Sequence, residues 1–197
     1  MGAVEEVEEI HLREQMEKTF YSAINIIHAV LPVFREQNSG HILNVVDLNA
    51  SLGTPCLGPL AASMHALAAY TESLALGLSK YNIKATLIQV ALEVSLLTNP
   101  LTFVENGYNS SDAEGLRRSR KSLSNDIKDL YTKLNVFPTK PFDDAVHGIV
   151  SVAGTKDPPS RLVCGEDAIN ELRQQLDLES EELDAFDPKF SRKKLDN

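Results

Sequence analysis

Tryptophan is absent from this chain, cysteine occurs twice, and 19 Lys and Arg face 28 Asp and Glu. Each shortage excludes something. A net charge of −9 leaves no basic face to follow a phosphate backbone, so no nucleic-acid partner is expected. Cys56 and Cys164 lie too far apart for a CxxC or zinc spacing and read as reduced thiols, which fits a cytoplasmic protein. The chain shows no charged-then-apolar leader. Nor does any apolar run approach the roughly 20 residues that span a bilayer, so no membrane partner is expected. The five histidines, His11, His28, His41, His65 and His147, form neither HxH nor HExxH, and no metal site is expected. The ten glycines give neither GxGxxG nor GxxxGxG, and no tyrosine is followed four residues later by lysine.

What is present is a core. At 43% hydrophobic content, 197 residues suffice for one domain, expected over residues 1–186 with a polar tail at 187–197. Acidic charge gathers at EEVEE and at LDLESEELDAFD, the latter followed by a short basic stretch, KFSRKK. These runs read as solvated helix faces and a frayed tail.

Met16, Phe20, Ala23, Ile27, Val30, Leu31 and Phe34 recur at helical spacing and predict a helix from about residue 8 to 36. It should stop near Asn38-Ser39-Gly40, with glycine in the left-handed conformation. Ile42 to Val46 reads as a strand buried on both faces. A loop with Gly53, Pro55, Gly58 and Pro59 leads to a helix over 60–80, lean in bulk and suited to close packing. A second buried strand is expected from Ala85 to Val90, and helices over about 119–134 and 143–153. A third strand, Arg161 to Cys164, ends at Gly165 and is followed by a helix over 167–185. Strands separated by helices imply parallel crossovers and an α/β sheet.

The ordered pieces resemble the short-chain dehydrogenase/reductase family. LREQMEKTFYSAINIIHAVLPVFREQNSGHILNV resembles its long helix and following strand, with landmarks at Leu31-Pro32, Arg35 and Ser39-Gly40. SMHALAAYTESLALGLSKYNIKATLIQV resembles the active-site helix and next strand, and DPPSRLVCGEDAINELRQQL the closing strand and helix. The resemblance implies the C-terminal portion of a Rossmann-type doubly wound parallel sheet. About three strands with flanking helices are expected, without the N-terminal nucleotide-binding strands, and residues 98–140 would be a variable, lid-like segment. It also implies NAD(P) as cofactor.

In that family a serine binds the carbonyl oxygen and a tyrosine moves the proton. A lysine holds the ribose and depresses the tyrosine's pKa, and an asparagine supports a water relay. Carried across by spacing, those positions fall on Asp47, Leu60, Met64 and Thr19, and none holds the family residue. Leucine transfers no proton, which removes a contribution of about 10² to 10⁴ in rate. Methionine offers no cation, and an ionised aspartate accepts hydrogen bonds only and repels a developing oxyanion. Thr19 keeps a hydroxyl. The proline-glycine that approaches the nicotinamide corresponds to Val90-Ala91, and Thr98 is the one weak counterpart of a cofactor-contacting threonine. The expectation is therefore a catalytic set that is absent and no bound cofactor.

The functional alternatives are three: a catalytically inactive pseudoenzyme that associates with itself or a partner, an oxidoreductase with an atypical site or a complementing chain, and a gene relic. The family dimerises through the helices that correspond to 11–36 and 60–80, so a homodimer, or a heterodimer with an intact family member, is expected there. The strand over 42–46 would keep an open edge beside Ile42, Leu43 and Val45, suited to strand addition. Leu101, Phe103, Leu116, Leu123, Leu130 and Leu134 read chiefly as packing residues, with a small apolar pocket as the lesser alternative.

Overall fold

The computed structural model describes residues 7–54, 57–91, 94 and 139–190. The expected helix over 119–134, the lid-like segment with its leucines, and Thr98 lie outside the described residues.

The first rod consists of α1 (Glu9–Met16), a π turn (Glu17–Tyr21) and α2 (Ser22–Gln37), joined through right-handed helical backbone. The expected long helix is present, but with a one-turn widening where Thr19 sits. Its apolar face buries Ile24 and Ile27, with Phe20, Leu31 and Phe34 packed beside them. The rod ends at Asn38, which takes the left-handed conformation (φ 49°) that the sequence suggested for Gly40. Asparagine tolerates that region, and its carbonyl accepts a bond from Asn82 Nδ2 at 3.1 Å. Gly40 has another reason to be glycine: a Cβ there would overlap the Phe34 ring.

β1 (Gly40–Asp47) pairs parallel with β2 (Ile83–Val90), in a register running from Gly40 opposite Ile83 to Asp47 opposite Val90. β2 pairs parallel with β3 (Arg161–Val163), giving the order β1-β2-β3. Between β1 and β2 runs α3 (Gly58–Leu78), with proline in its first turn, a position that has no backbone N–H to satisfy. α4 (Thr139–Ala153) leads towards β3, and α5 (Glu166–Phe190) follows Gly165, whose φ of 99° turns the chain. Both late helices outrun their expected bounds: α4 starts four residues earlier, and α5 takes in residues 187–190 of the stretch expected as a tail.

Two layers cover the sheet. On one face Ile42, Ile83 and Ala85 pack with α2, and Val46 and Leu87 pack with Met64, Leu67 and Ala68 of α3. On the other, Ile88 and Val90 meet Ala145 and Val152 of α4 and Cys164. β2 is buried except at Lys84, and each aliphatic side chain it removes from water contributes about 1.5–3 kcal/mol. β1 differs from expectation. Its residues 42, 44 and 46 are buried, but Val45 is 48% exposed, because no described helix covers that part of its other face.

Side chains tie the layers together. Asn44 Nδ2 donates to Thr71 Oγ1 at 2.8 Å, and Thr71 donates on to the Leu67 carbonyl at 2.7 Å, locking β1 to α3. Thr86 Oγ1 donates to the Pro159 carbonyl at 2.8 Å. That uses its only hydrogen, so His41 Nε2, 2.9 Å away, must be the donor in their bond. Among the described residues no helix is long and apolar enough to cross a membrane.

Two predictions follow from packing and charge. Burial, with repulsion from Lys84 second, holds the His41 pKa below its ordinary value. The native state therefore keeps it neutral while the unfolded chain takes up a proton as pH falls through ~6.5. Stability from this source is complete above that pH and is lost on acidification towards the folded pKa. Thermal melts should show a smaller loss between pH 7 and pH 6 in His41→Gln than in the parent. At Gly148 a Cβ would strike the Cys164 Sγ, whereas at Gly77, inside α3, it meets nothing within 4 Å. Gly148→Ala should cost about 1–3 kcal/mol in urea unfolding, and Gly77→Ala should add about 0.5–1 kcal/mol.

Candidate functional site

The carboxyl ends of β1 and β2 are where an open α/β sheet presents its ligand site. There β1 ends in Asp47, a single 3-10 turn spans Leu48–Ala50, and α3 starts at Gly58. Asp47 opens this turn, Met64 and Leu60 pack in the cluster that includes its Ala50, and Thr19 lies apart on the π turn of the first rod. Asp47 is 1% exposed; its Oδ1 accepts from the Asn49 backbone N–H at 2.8 Å, and its own N–H donates to Met64 Sδ at 3.3 Å. Met64 is buried with Val46, Ala50, Leu67 and Leu87. Leu60 lies half-buried against the same cluster, and so does Phe20, the neighbour of Thr19. Thr19 sits on the π turn and its Oγ1 accepts from Gln15 Nε2 at 2.7 Å. Such a turn inserts a residue into a helix and is frequent at functional positions.

Leu60 and Met64, the positions the resemblance assigns to the proton carrier and its lysine, present an alkyl chain and a thioether to the apolar cluster. A sulfur accepting from the backbone is a weak bond to a soft atom. It fixes Met64 beside Asp47 without creating charge.

A second group of polar residues escaped the sequence reading. Gln89, fully buried at the end of β2, donates from Nε2 to Ser51 Oγ at 2.8 Å, and Arg161 Nη1 donates to the same oxygen at 3.2 Å. Arg161 Nη2 also holds the Glu72 carboxylate on α3. Ser51, just beyond the turn, thereby links β2, β3 and α3. The available signal was Gln89 itself, one amide near the end of the apolar strand IKATLIQV, and Arg161 opening a short strand. Neither has a chemical motif around it.

Two of these groups are incompletely bonded. The Asn49 side-chain amide, 1% exposed, and Gln89 Oε1 have no hydrogen-bond partner among the described residues. Leaving a buried amide unsatisfied costs about 1–3 kcal/mol. No group of three or more His, Cys, Asp or Glu that could hold a metal occurs among the described residues. Nor is Cys164 a nucleophile in waiting: burial, then the Asp144 carboxylate, pushes its thiol pKa up and keeps it protonated. Among the described residues, the site holds its backbone turn through Asp47 and gathers Gln89 and Arg161 on Ser51. Asn49→Ala, which removes both orphaned amide atoms, should raise stability by up to about 1–3 kcal/mol in chemical denaturation. A loss of that size would mean that the amide is bonded to an internal water.

The model of the short chain dehydrogenase family matches residues 1–99. The chain is 28% identical over 165 residues to a 3-ketodihydrosphingosine reductase of Bacteroides thetaiotaomicron, covering 83% of this chain and 58% of that protein. It is 25% identical over 171 residues to an oxidoreductase of Botryotinia fuckeliana, covering 85% of this chain and again 58% of the relative. Among solved structures, a short-chain dehydrogenase from Streptomyces avermitilis superposes with a TM-score of 0.71 at 26% identity, covering 98% of this chain and 66% of that one. The chain thus spans 58% of the length of these curated relatives. With half of its residues matched by the family model and its parallel sheet and flanking helices shared with a solved member, the chain belongs to the short-chain dehydrogenase family.

Proposed function

We propose that this family member is a pseudoenzyme, which contributes through association and carries out no redox turnover. The observation that carries the reading is the packing of Leu60 and Met64. Both occupy the positions of the proton carrier and its lysine, and both are committed to the apolar cluster under β1 and β2. Replacing them with polar groups would require rebuilding that cluster, so their present identity is part of the fold. Asp47 supports the same reading, since its side chain is engaged in holding the turn, accepting from the Asn49 N–H.

Association has physical support on the helix layer. Ile26 and Val33 of α2 and Leu76 of α3 are 66%, 48% and 81% exposed. They lie on the two helices expected to form a homodimer, or a heterodimer with an intact family member. Large apolar side chains grouped on an outer face mark contact sites. A second reading, an oxidoreductase completed by another chain, is favoured by one feature. β1 pairs on one side only among the described residues and leaves Val45 half exposed, as a strand awaiting a neighbour would. NAD(P) would then be held chiefly by that neighbour.

Titration of the purified chain with NADH and NADPH tests the first reading. Neither should raise the melting temperature, and neither should be oxidised in the presence of aldehydes or ketones. Saturable binding with turnover that drops by about 10² or more in Asp47→Asn would replace the pseudoenzyme with an enzyme using Asp47 as its acid–base group.

A further inference from the structure

The acidic run near the C-terminus reads from sequence as a solvated helix face, but its geometry is more particular. α5 is 25 residues long, about 37 Å at helical rise, and between Glu166 and Ala185 burial is confined to its first turns. Ala168 is 1% exposed, and Ile169 and Leu172 are half-buried. From Leu176 to Ala185 every residue is exposed. The apolar stripe does not end where the body does. Ile169, Leu172, Leu176 and Leu183 follow the three-four spacing of a helix seam, and Leu176 and Leu183 are left 56% and 72% exposed.

The charges beside the bare half define what fits it. Residues 176–185 carry Asp177, Glu179, Glu181, Glu182 and Asp184 and neither Lys nor Arg. Glu179 occupies the seam itself, between Leu176 and Leu183, and accepts from Gln175 Nε2 at 3.0 Å. A polar group inside a seam selects a partner with a matching group opposite it. Two copies of this helix would place these acids against each other, and an anionic lipid surface or nucleic acid would be repelled.

We propose that the distal half of α5 is a docking helix for a cationic amphipathic helix of another protein. Leucines of the partner fill the seam around Leu176 and Leu183, its Lys or Arg residues flank Glu181, Glu182 and Asp184, and one faces Glu179. The interface uses none of the residues at the sheet's carboxyl edge, so it stands independently of whether the chain is catalytic.

The full chain should be titrated with a fluorescent helical peptide about three heptads long, with leucine at the seam and lysine at the flanks. The same experiment uses a scrambled peptide of the same composition and a version with glutamate in place of lysine. Saturable binding is expected for the first, about ten-fold or more weaker binding for the scrambled peptide, and none for the acidic one. Leu176→Ser with Leu183→Ser should weaken binding about ten-fold with an unchanged circular dichroism spectrum. Glu181→Lys with Glu182→Lys should do the same and flatten the salt dependence. Equal binding of the scrambled peptide, retention of affinity in the serine variant, or self-association in sedimentation that the serine variant abolishes would each overturn the proposal.

Discussion

The register between β1 and β2 is the constraint on which the rest depends. Parallel pairing from Gly40–Ile83 to Asp47–Val90 decides which side chains face α3 and which face α4. A slip of one residue would turn every side chain of one strand to the opposite face. Asn44 would then lose Thr71, and Val46 would leave the cluster that holds Met64. The two left-handed asparagines stand at the entry of this pairing. Asn38 ends α2, Asn82 closes the turn before β2, and the bond between them sets both strands off at the same level. The site at the far end inherits that alignment, because Asp47 and Gln89 reach the turn only when the register is kept.

That dependence means that the architecture at the sheet's carboxyl edge is set by packing and pairing alone. The turn after β1 and the start of α3 are positioned by strand pairing and by Met64 packing under Val46, none of which needs a reactive group. Apolar Leu60 and Met64 spare the cluster the cost of a buried polar or charged group. What polarity remains has moved to structural use: Asp47 bonds its own turn, and Ser51 gathers Gln89 and Arg161. The orphaned Asn49 amide is the exception, a buried polar group with no structural bond among the described residues.

Much of this was legible in the sequence because it depends on periodicity. Short apolar runs and helical apolar spacing located β1, β2, α2, α3 and the start of α5 within a few residues. Features decided by tertiary contact were not legible. Nothing in GHILNVVD shows that Val45 is exposed while Leu43 is partly covered, since that depends on which helix lies over the strand. The choice of Asn38 over Gly40 as the left-handed residue turns on where the helix closes, with the Ser39 N–H bonding back to the Phe34 carbonyl at 3.2 Å. The Ser51 junction joins residues 38 and 110 positions apart, a distance over which no local pattern carries information.

The two ends of the molecule show opposite uses of the same physics. At the sheet's carboxyl edge, apolar side chains are enclosed, and polar atoms there are either bonded within the fold or left without a partner. Along α5 an apolar stripe continues past the enclosed body into water, and the acids beside it are free to choose among partners by charge. Burial removes a surface from exchange with other molecules, whereas an exposed stripe of one sign retains both attraction and selectivity. On the proposed reading, capacity for specific interaction lies where the core ends, on helices that the sheet positions but does not cover.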